Sequence, residues 1–335
     1  MKILVTGGLG YLGSHVVVDL LKNSFSVVII DNLINSDISS LDCITNISNK
    51  NLVFEKLDLT KEKQVEEFFN RNSDIEGVIH FAALKSVRES IKYPLKYYHN
   101  NVTGMILLLE YMPKGIPFVF SSSCTVYGAV ENNPIDENTP YGNPQSPYAH
   151  TKQICEIIMN SKFKSEVNFK GISLRYFNPI GAHPSGLIGE NPKNKPENLV
   201  PYLTQVVSGR REELTVFGND YLTIDGTCIR DYIHVMDLAD SHIAAINHLN
   251  NLKSKKYLDD FNIGTGKGIS VIQLIKMFEE STGKKVQYKI GKRRPGDLEV
   301  AYANTKKTEK ILGWKSKYTL DEALQSAWNW ELNHQ

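Results

Sequence analysis

KILVTGGLGYLGSHVVVDLLKN, Lys2 to Asn23, is the stretch that decides the fold. Lys2–Thr6 is a short, nearly continuous apolar run, the pattern of a strand buried on both faces. Gly7, Gly10 and Gly13 follow at even spacing, and a helical pattern runs from Gly10 to Asn23. The chain must turn sharply there, let its backbone approach a pyrophosphate, and pack the helix tightly on the sheet. Glycine meets all three demands because it has no Cβ. The helix N-terminus then offers N–H groups and a positive dipole end to phosphate. A purely structural turn is the competing reading, and the strand–turn–helix context favours the nucleotide-binding one.

Working outward, Ser26–Asp31, Asn51–Asp58, Gly77–Ala83, Pro117–Ser123 and Gly171–Phe177 read as further strands of the same buried kind. Helical patterns separate them, notably Lys61–Asn70 and one long stretch before Met112. Strand and helix alternating in this way predict an α/β fold, a Rossmann-type doubly wound parallel sheet. After Asn178 the texture changes. Residues 179–201 are rich in Pro, Gly and Asn and are expected to leave the sheet as a long loop. Shorter elements follow: a helix near Pro201–Ser208, a strand at Leu214–Phe217, and a strand then helix through Arg230–Leu249. Ser270/Gln273 and Thr319/Glu322 are capping-box pairs that open two later helices. The expected division is a dinucleotide-binding domain over 1–178, to which segments near 230–250 return, and a smaller mixed α/β substrate domain over 179–335.

Asp31 closes the second strand, where a carboxylate accepts hydrogen bonds from ribose hydroxyls and repels a 2′-phosphate, which favours NAD over NADP. A loop-capping Asp beside Asn32 is the alternative. Asp58-Leu59 ends the third strand, where an adenine edge can be read or a turn capped. Tyr148 and Lys152 form a YxxxK pair on a predicted helix, where residues four apart share a face. A nearby ammonium lowers a phenol pKa toward the range of a usable base. The same spacing recurs at Tyr288/Lys292 and Tyr302/Lys306, late in the chain, and is read there as coincidence. Context selects Tyr148, because the preceding strand ends in Ser121-Ser122-Ser123 at the edge where open α/β sheets place their chemistry.

Composition narrows the class. The 335 residues carry 38 Lys+Arg against 37 Asp+Glu, a net charge of +1, which gives no general pull toward nucleic acid or an anionic membrane. Arg210-Arg211 and Lys292-Arg293-Arg294 are local clusters that could meet phosphate. The cysteines at 43, 124, 155 and 228 are widely spaced, so neither a disulfide framework nor a metal site is expected, and a reducing cytoplasm is. The apolar start ends at Thr6, too short for a signal segment, and no run approaches the ~20 apolar residues of a membrane span.

TGGLGYLGSH, HFAALKSVRES, NNVTG, SSSCTVYG, PYAHTK, LRYFNPIGAHPSG, NLVPYL and GTCIRDYIHVMDLAD occur in this order along essentially the whole chain. Together they resemble the UDP-glucose 4-epimerase family of extended short-chain dehydrogenases/reductases. The resemblance implies tightly bound NAD, touched by Gly7, Gly10, Tyr11, Leu12 and Gly13 at the pyrophosphate and by Asp31 and Asn32 at the ribose. Asp58 and Leu59 would bound the adenine, Phe81, Ala82, Ala83, Lys85 and Asn100 would line the cofactor, and Phe177 would pack near the nicotinamide. Ser123, Tyr148 and Lys152 would be the catalytic group and touch both cofactor and substrate. Asn178, Asn198, Leu199, Phe217, Arg230, Arg294 and Asp297 would hold a UDP-sugar; arginines suit a diphosphate, and Phe217 can stack on uracil.

The implied reaction oxidises the sugar at C4′, turns the 4-keto sugar, and returns the hydride to its other face, so NAD is regenerated each cycle. The related dehydratase pattern, Ser/Thr-Asp-Glu-Val-Tyr-Gly, is Ser123-Cys124-Thr125-Val126-Tyr127-Gly128 here, and it lacks the two acids that eliminate water. The family also implies that a small residue at the Ala301 position admits N-acetylated sugars, against a packing role for Ala301. It further implies a homodimer paired through helices near residues 90–110 and 150–160, and the apolar run Met105–Leu109 points the same way. Other UDP-sugar-modifying enzymes, specific for uronic acids or N-acetylhexosamines, and a non-catalytic NAD-sensing regulator are the remaining alternatives.

Overall fold

The computed structural model describes residues 1–130, 132–294 and 296–334. Among these, the strands are β1 (Lys2–Thr6), β2 (Ser26–Asp31), β3 (Val53–Lys56), β4 (Gly77–His80), β5 (Pro117–Ser123), β6 (Lys170–Tyr176), β7 (Asn178–Ile180), β8 (Leu214–Phe217), β9 (Ile229–Arg230), β10 (Tyr232–His234), β11 (Tyr257–Ile263), β12 (Ile269–Ser270), β13 (Tyr288–Gly291) and β14 (Val300–Ala301). The α-helices are α1 (Tyr11–Lys22), α2 (Ser39–Ser48), α3 (Glu62–Arg71), α4 (Val87–Lys92), α5 (Pro94–Tyr97), α6 (Gly104–Tyr111), α7 (Pro147–Ser165), α8 (Leu199–Val207), α9 (Val235–Asn251), α10 (Val271–Thr282), α11 (Lys306–Leu312) and α12 (Leu320–Asn333).

Met1–Gly128, Pro140–Arg175 and Ala239–Phe261 form one compact unit. It carries a seven-stranded sheet in the order β11-β6-β5-β4-β1-β2-β3. From β3 through β2, β1 and β4 to β5 every pairing is parallel, with Leu4 beside Val28 on one side and Val78 on the other. This is the expected doubly wound sheet, and its strand order reverses at β1 and β4, where such sheets bind ligands. The apolar runs are continuous because both faces are covered: Leu4, Val78 and Phe118 join Phe68, Met105 and Leu108 in one core. Each such side chain contributes about 1.5–3 kcal/mol on burial.

Local chemistry moves several boundaries. The strand expected over Gly77–Ala83 stops at His80, because Ala82 turns back to donate its N–H to Thr6 Oγ1 at 3.3 Å. The single helix expected before Met112 is broken. Pro94 disfavours a helical Tyr93, so α4 ends at Lys92 and α5 restarts with the proline, which is followed by a π-helical turn over Tyr98–Thr103 and then α6. The apolar run on α6 is explained by the core: Met105, Leu107, Leu108 and Leu109 are buried, and only Ile106 of the five is exposed. The loop expected over 179–201 contains the end of β7, which pairs in parallel with β10, and the start of α8.

Ala129–Thr139, Tyr176–Leu238 and Asn262–Gln335 form the second compact unit. Short sheets β10-β7, β12-β9-β14 and β13-β8 surround a core that includes Leu203, Leu274, Phe278, Leu324 and Trp328. Both capping boxes form, Ser270 with Gln273 and Thr319 with Glu322. Asp231, fully buried, ties this unit together. One carboxylate oxygen accepts from Thr265 N–H at 2.8 Å and Thr265 Oγ1 at 2.6 Å; the other accepts from Gly266 N–H at 3.0 Å and Ala303 N–H at 3.1 Å.

The Gly7–Gly13 turn generates a prediction. A Cβ on Gly13 would lie 2.3 Å from the Gly7 carbonyl oxygen, whereas one on Gly10 would lie 3.3 Å from the same atom. Gly13→Ala should cost about 2–3 kcal/mol in urea unfolding, the range of an overpacked core, and Gly10→Ala distinctly less. Equal losses would show that the turn does not impose this difference.

Candidate active site

The glycine turn is a backbone device. Gly7 has φ +68°, and a Cβ there would meet Ala82 N at 2.8 Å, so only glycine lets the end of β1 and the loop after β4 approach. Gly10 is the N-cap of α1; it makes no side-chain cap, and the first turn holds no acidic residue. Tyr11 and Leu12 open this helix, with Gly13 buried beneath. The cradle therefore fits an anionic diphosphate.

Asp31 serves as a loop cap and keeps capacity for a ligand. Its Oδ1 accepts from Leu33 N–H at 2.9 Å and Ser36 Oγ at 2.7 Å, and its Oδ2 accepts from Leu9 N–H at 3.2 Å. A carboxylate has about four acceptor positions, so a ribose hydroxyl can still be received. Asn32 Oδ1 accepts from Ile34 N–H at 3.1 Å, and Asp58 Oδ1 caps its turn through Thr60 N–H at 2.9 Å and Thr60 Oγ1 at 2.8 Å. The Leu59 side chain is a core residue. Phe81 meets the His242 ring at 4.8 Å between centroids, Ala82 and Ala83 continue the loop after β4, and Lys85 Nζ stands 5.9 Å over the Tyr11 ring.

Asn100 lies in the π-helical turn and donates to Asn101 Oδ1 at 3.0 Å. Asn101 escaped the sequence reading, yet it is the buried link. Its Oδ1 accepts from Leu84 N–H at 2.8 Å, and its Nδ2 donates to Leu84 O and Thr151 Oγ1, each at 3.0 Å. The insertion that makes the π turn gave no signal in the sequence.

Ser146 caps α7 through Ala149 N–H at 3.2 Å, with Pro147 at its first position, so Tyr148 stands in the first turn and Lys152 one turn further in. Lys152 is buried; its ammonium donates to Ser121 O and lies 4.8 Å over the Phe120 ring and 5.9 Å over the Tyr148 ring. Ser123, at the end of β5, accepts from Thr125 N–H at 3.3 Å, and its hydroxyl is near enough to Tyr148 to act on the phenol's ionisation. The structure thus brings Ser123, Tyr148 and Lys152 together. The sequence reading has the Lys152 ammonium and an oxidised nicotinamide lowering the phenol, and within the chain burial acts the other way. Burial pushes Tyr148 up to about 12 against the effect of Ser123, and burial pushes Lys152 down to about 8. The other YxxxK pairs are not helical, since Tyr288 lies in β13 and Tyr302 follows β14.

In the second unit, Arg230 on β9 donates to Asp297 Oδ1 at 2.6 Å and to Ile229 O at 2.7 Å. Ala301 is buried and pairs in register with Arg230. Arg294 stands over the Phe217 ring at 4.6 Å. Asn178 N–H donates to Asp231 O at 2.9 Å, and buried Phe177 donates its N–H to Ile263 O at 3.0 Å. Asn198 precedes Leu199 at the start of α8 and donates its side chain to Glu190 Oε1 at 2.7 Å. Of the basic clusters, Arg210 is tied to Glu331, Arg211 to Gln205 and Arg293 to Asp220. Among the described residues no group of His, Cys, Asp and Glu is arranged to hold a metal, and no helix is long and apolar enough to cross a membrane.

Comparisons with known proteins identify the family. A family model described as GDP-mannose 4,6 dehydratase matches residues 4–327. The chain is 49% identical over 333 residues to a UDP-glucose 4-epimerase of Cyamopsis tetragonoloba, covering 98% of this chain and 94% of that one. Among solved structures, the UDP-glucose-4-epimerase of Stenotrophomonas maltophila, with bound NAD and formylated UDP-arabinopyranose, matches with a TM-score of 0.95 at 40% identity, covering 100% of this chain and 98% of that one. The UDP-glucose 4-epimerase of Bifidobacterium longum, in complex with NAD+ and UDP, matches with a TM-score of 0.94 at 41% identity, covering 99% and 98%. With likeness of this extent in both sequence and structure, the chain belongs to the UDP-glucose 4-epimerase family.

Proposed function

We propose that this chain interconverts UDP-glucose and UDP-galactose as an NAD-dependent 4-epimerase. The observation that carries the reading is the group Ser123, Tyr148 and Lys152, gathered in the unit whose first turn is built from Gly7, Gly10 and Gly13. That turn, with Asp31, Asn32, Asp58, Leu59, Phe81, Ala82, Ala83, Lys85, Asn100 and Phe177, would hold NAD, which would supply a reversible hydride acceptor. The remaining tasks fall to the chain. Tyr148 takes the proton of the sugar 4′-hydroxyl and later returns it, while Ser123 holds that hydroxyl in line. Lys152, fixed on the Ser121 carbonyl, keeps a positive charge below the phenol. Burial alone leaves Tyr148 at about 12, so it becomes a base at neutral pH only when further positive charge enters its surroundings.

In the second unit, Arg230 and Arg294 are the diphosphate donors, and Asp297 orients Arg230. Phe217, with Arg294 over its ring, is the aromatic side chain that would stack on uracil. Asn178, Asn198 and Leu199 complete the grip on UDP. A 4,6-dehydratase reaction is not expected despite the family model's description, because Cys124 and Thr125 cannot supply carboxyl acids. UDP-N-acetylglucosamine and UDP-N-acetylgalactosamine are further proposed substrates, since Ala301 beside Arg230 is small. A homodimer is proposed from exposed apolar residues on α4 to α7, Val87, Ile91, Leu95, Ile106 and Ile157. The free thiols of all four cysteines support a reducing, cytoplasmic setting.

Two outcomes test these assignments. Tyr148→Phe should lower kcat for UDP-galactose by about 10²–10⁴-fold, the worth of a general base, while purified protein retains its NAD; kcat within tenfold of the parent would remove Tyr148 from the reaction. Ala301→Tyr should suppress conversion of UDP-N-acetylgalactosamine and spare that of UDP-galactose, as chromatography of the products would record. Equal loss of both activities would count against Ala301 as the gate.

A further inference from the structure

Beyond Tyr148, helix α7 buries Lys152, Gln153 and Glu156, and of these the mechanism uses only Lys152. Lys152 donates to Ser121 O. Gln153 Nε2 donates to both Val126 O and Gly142 O at 2.8 Å, holding the turn that follows Ser123. Glu156 is the third. Its Oε1 accepts from Ser122 Oγ and from Arg175 Nε at 3.1 Å. Its Oε2 accepts from Tyr141 OH at 2.8 Å and from Arg175 Nη2 at 2.6 Å. Arg175, on β6, is also buried and pairs through Nη1 with Asp260 on β11 at 2.8 Å and with Tyr127 OH at 3.0 Å. One charged network thus runs across β5, β6, β11 and α7.

A buried ion pair is a poor source of stability, because packed apolar side chains of similar volume often do as well or better. What a bidentate guanidinium–carboxylate pair supplies is direction. With Arg175 fixing both oxygens, Glu156 presents one of them to Ser122, the residue between the carbonyl that grips Lys152 and Ser123, whose hydroxyl acts on Tyr148. Cutting the link at Ser122 removes one of the two ties from α7 to the end of β5, leaving Lys152 on the Ser121 carbonyl, without unpairing either charge of the Glu156–Arg175 pair.

We propose that Glu156, oriented by Arg175, is a positioning residue that fixes Ser121–Ser123 against α7 and so sets Ser123 relative to Tyr148. The proposal rests on the epimerase reading only for its kinetic consequence, because the geometry can be measured separately. The test compares Ser122→Ala, which leaves the Glu156–Arg175 pair intact, with Glu156→Gln, using steady-state kinetics with UDP-galactose and crystal structures of the parent chain and Ser122→Ala. The expected result is a fall in kcat of about 10- to 100-fold, the cost of a misplacement near 1 Å, with KM within about twofold of the parent. In the crystal, Ser123 Oγ should withdraw from Tyr148. Parent-like kcat in Ser122→Ala would overturn the proposal. So would a loss of kcat with the Ser123–Tyr148 geometry unchanged. If Glu156→Gln does not fold, Ser122→Ala decides alone. If the parent chain itself converts no UDP-galactose, the epimerase reading fails, and the two crystal structures still decide the positioning claim: a displaced Ser123 upholds it and an unmoved one overturns it.

Discussion

The architecture depends on how closely Gly13 lies against Gly7. A Cβ at residue 13 would sit 2.3 Å from the Gly7 carbonyl, so the first helix can seat on the sheet only where no side chain intervenes. Gly7, with φ +68°, turns the chain out of β1 and lets the loop after β4 close against it. Thr6 secures that approach from the strand side: its Oγ1 pairs with His80 Nδ1 at 2.7 Å and receives Ala82 N–H at 3.3 Å. His80, deep in the sheet, is pushed down by burial to about 3 and stays neutral at physiological pH. The parallel pairing then brings the carboxyl ends of β1, β2, β4 and β5 to one edge, where Asp31, Phe81 and Ser123 stand.

That edge is costly, because polar groups gather where the sheet is otherwise apolar. Partners offset that cost at three of them. Asp31 takes three hydrogen bonds from its own loop and the glycine turn, Asn101 ties three segments, and Glu156 neutralises Arg175. The second unit uses the same device at Asp231, whose four accepted bonds fix the backbone next to Arg230. Unmatched, such groups would each cost about 1–3 kcal/mol or more; matched, they hold side chains in one arrangement.

Much of this is legible in the sequence. The Lys2–Asn23 reading holds to within a residue or two at each end, because apolar continuity and glycine spacing are local constraints that leave little choice. Both capping boxes formed for the same reason. Local pattern could not foresee the break at Pro94 followed by a π turn, since a helical stripe tolerates a short interruption. It also passed over α2, of which only Ile44 is buried, so no apolar stripe announces it. Spacing and context single out Tyr148 and Lys152 and the resemblance adds Ser123, but the burial that pushes Tyr148 up is a tertiary quantity with no signature in the sequence. Asn101 lies inside NNVTG, but neither that motif nor the sequence around Glu156 tells of their buried roles, because their partners are distant in sequence.

The central claim is that one chain oxidises and re-reduces the same sugar with a nicotinamide it does not release. The direct test is to incubate the purified protein with UDP-galactose alone, adding no nucleotide cofactor, and to resolve the products by anion-exchange chromatography. UDP-glucose appearing over many turnovers is the predicted result. No UDP-glucose, even after NAD is supplied, would contradict the account, and so would NADH released in proportion to sugar consumed.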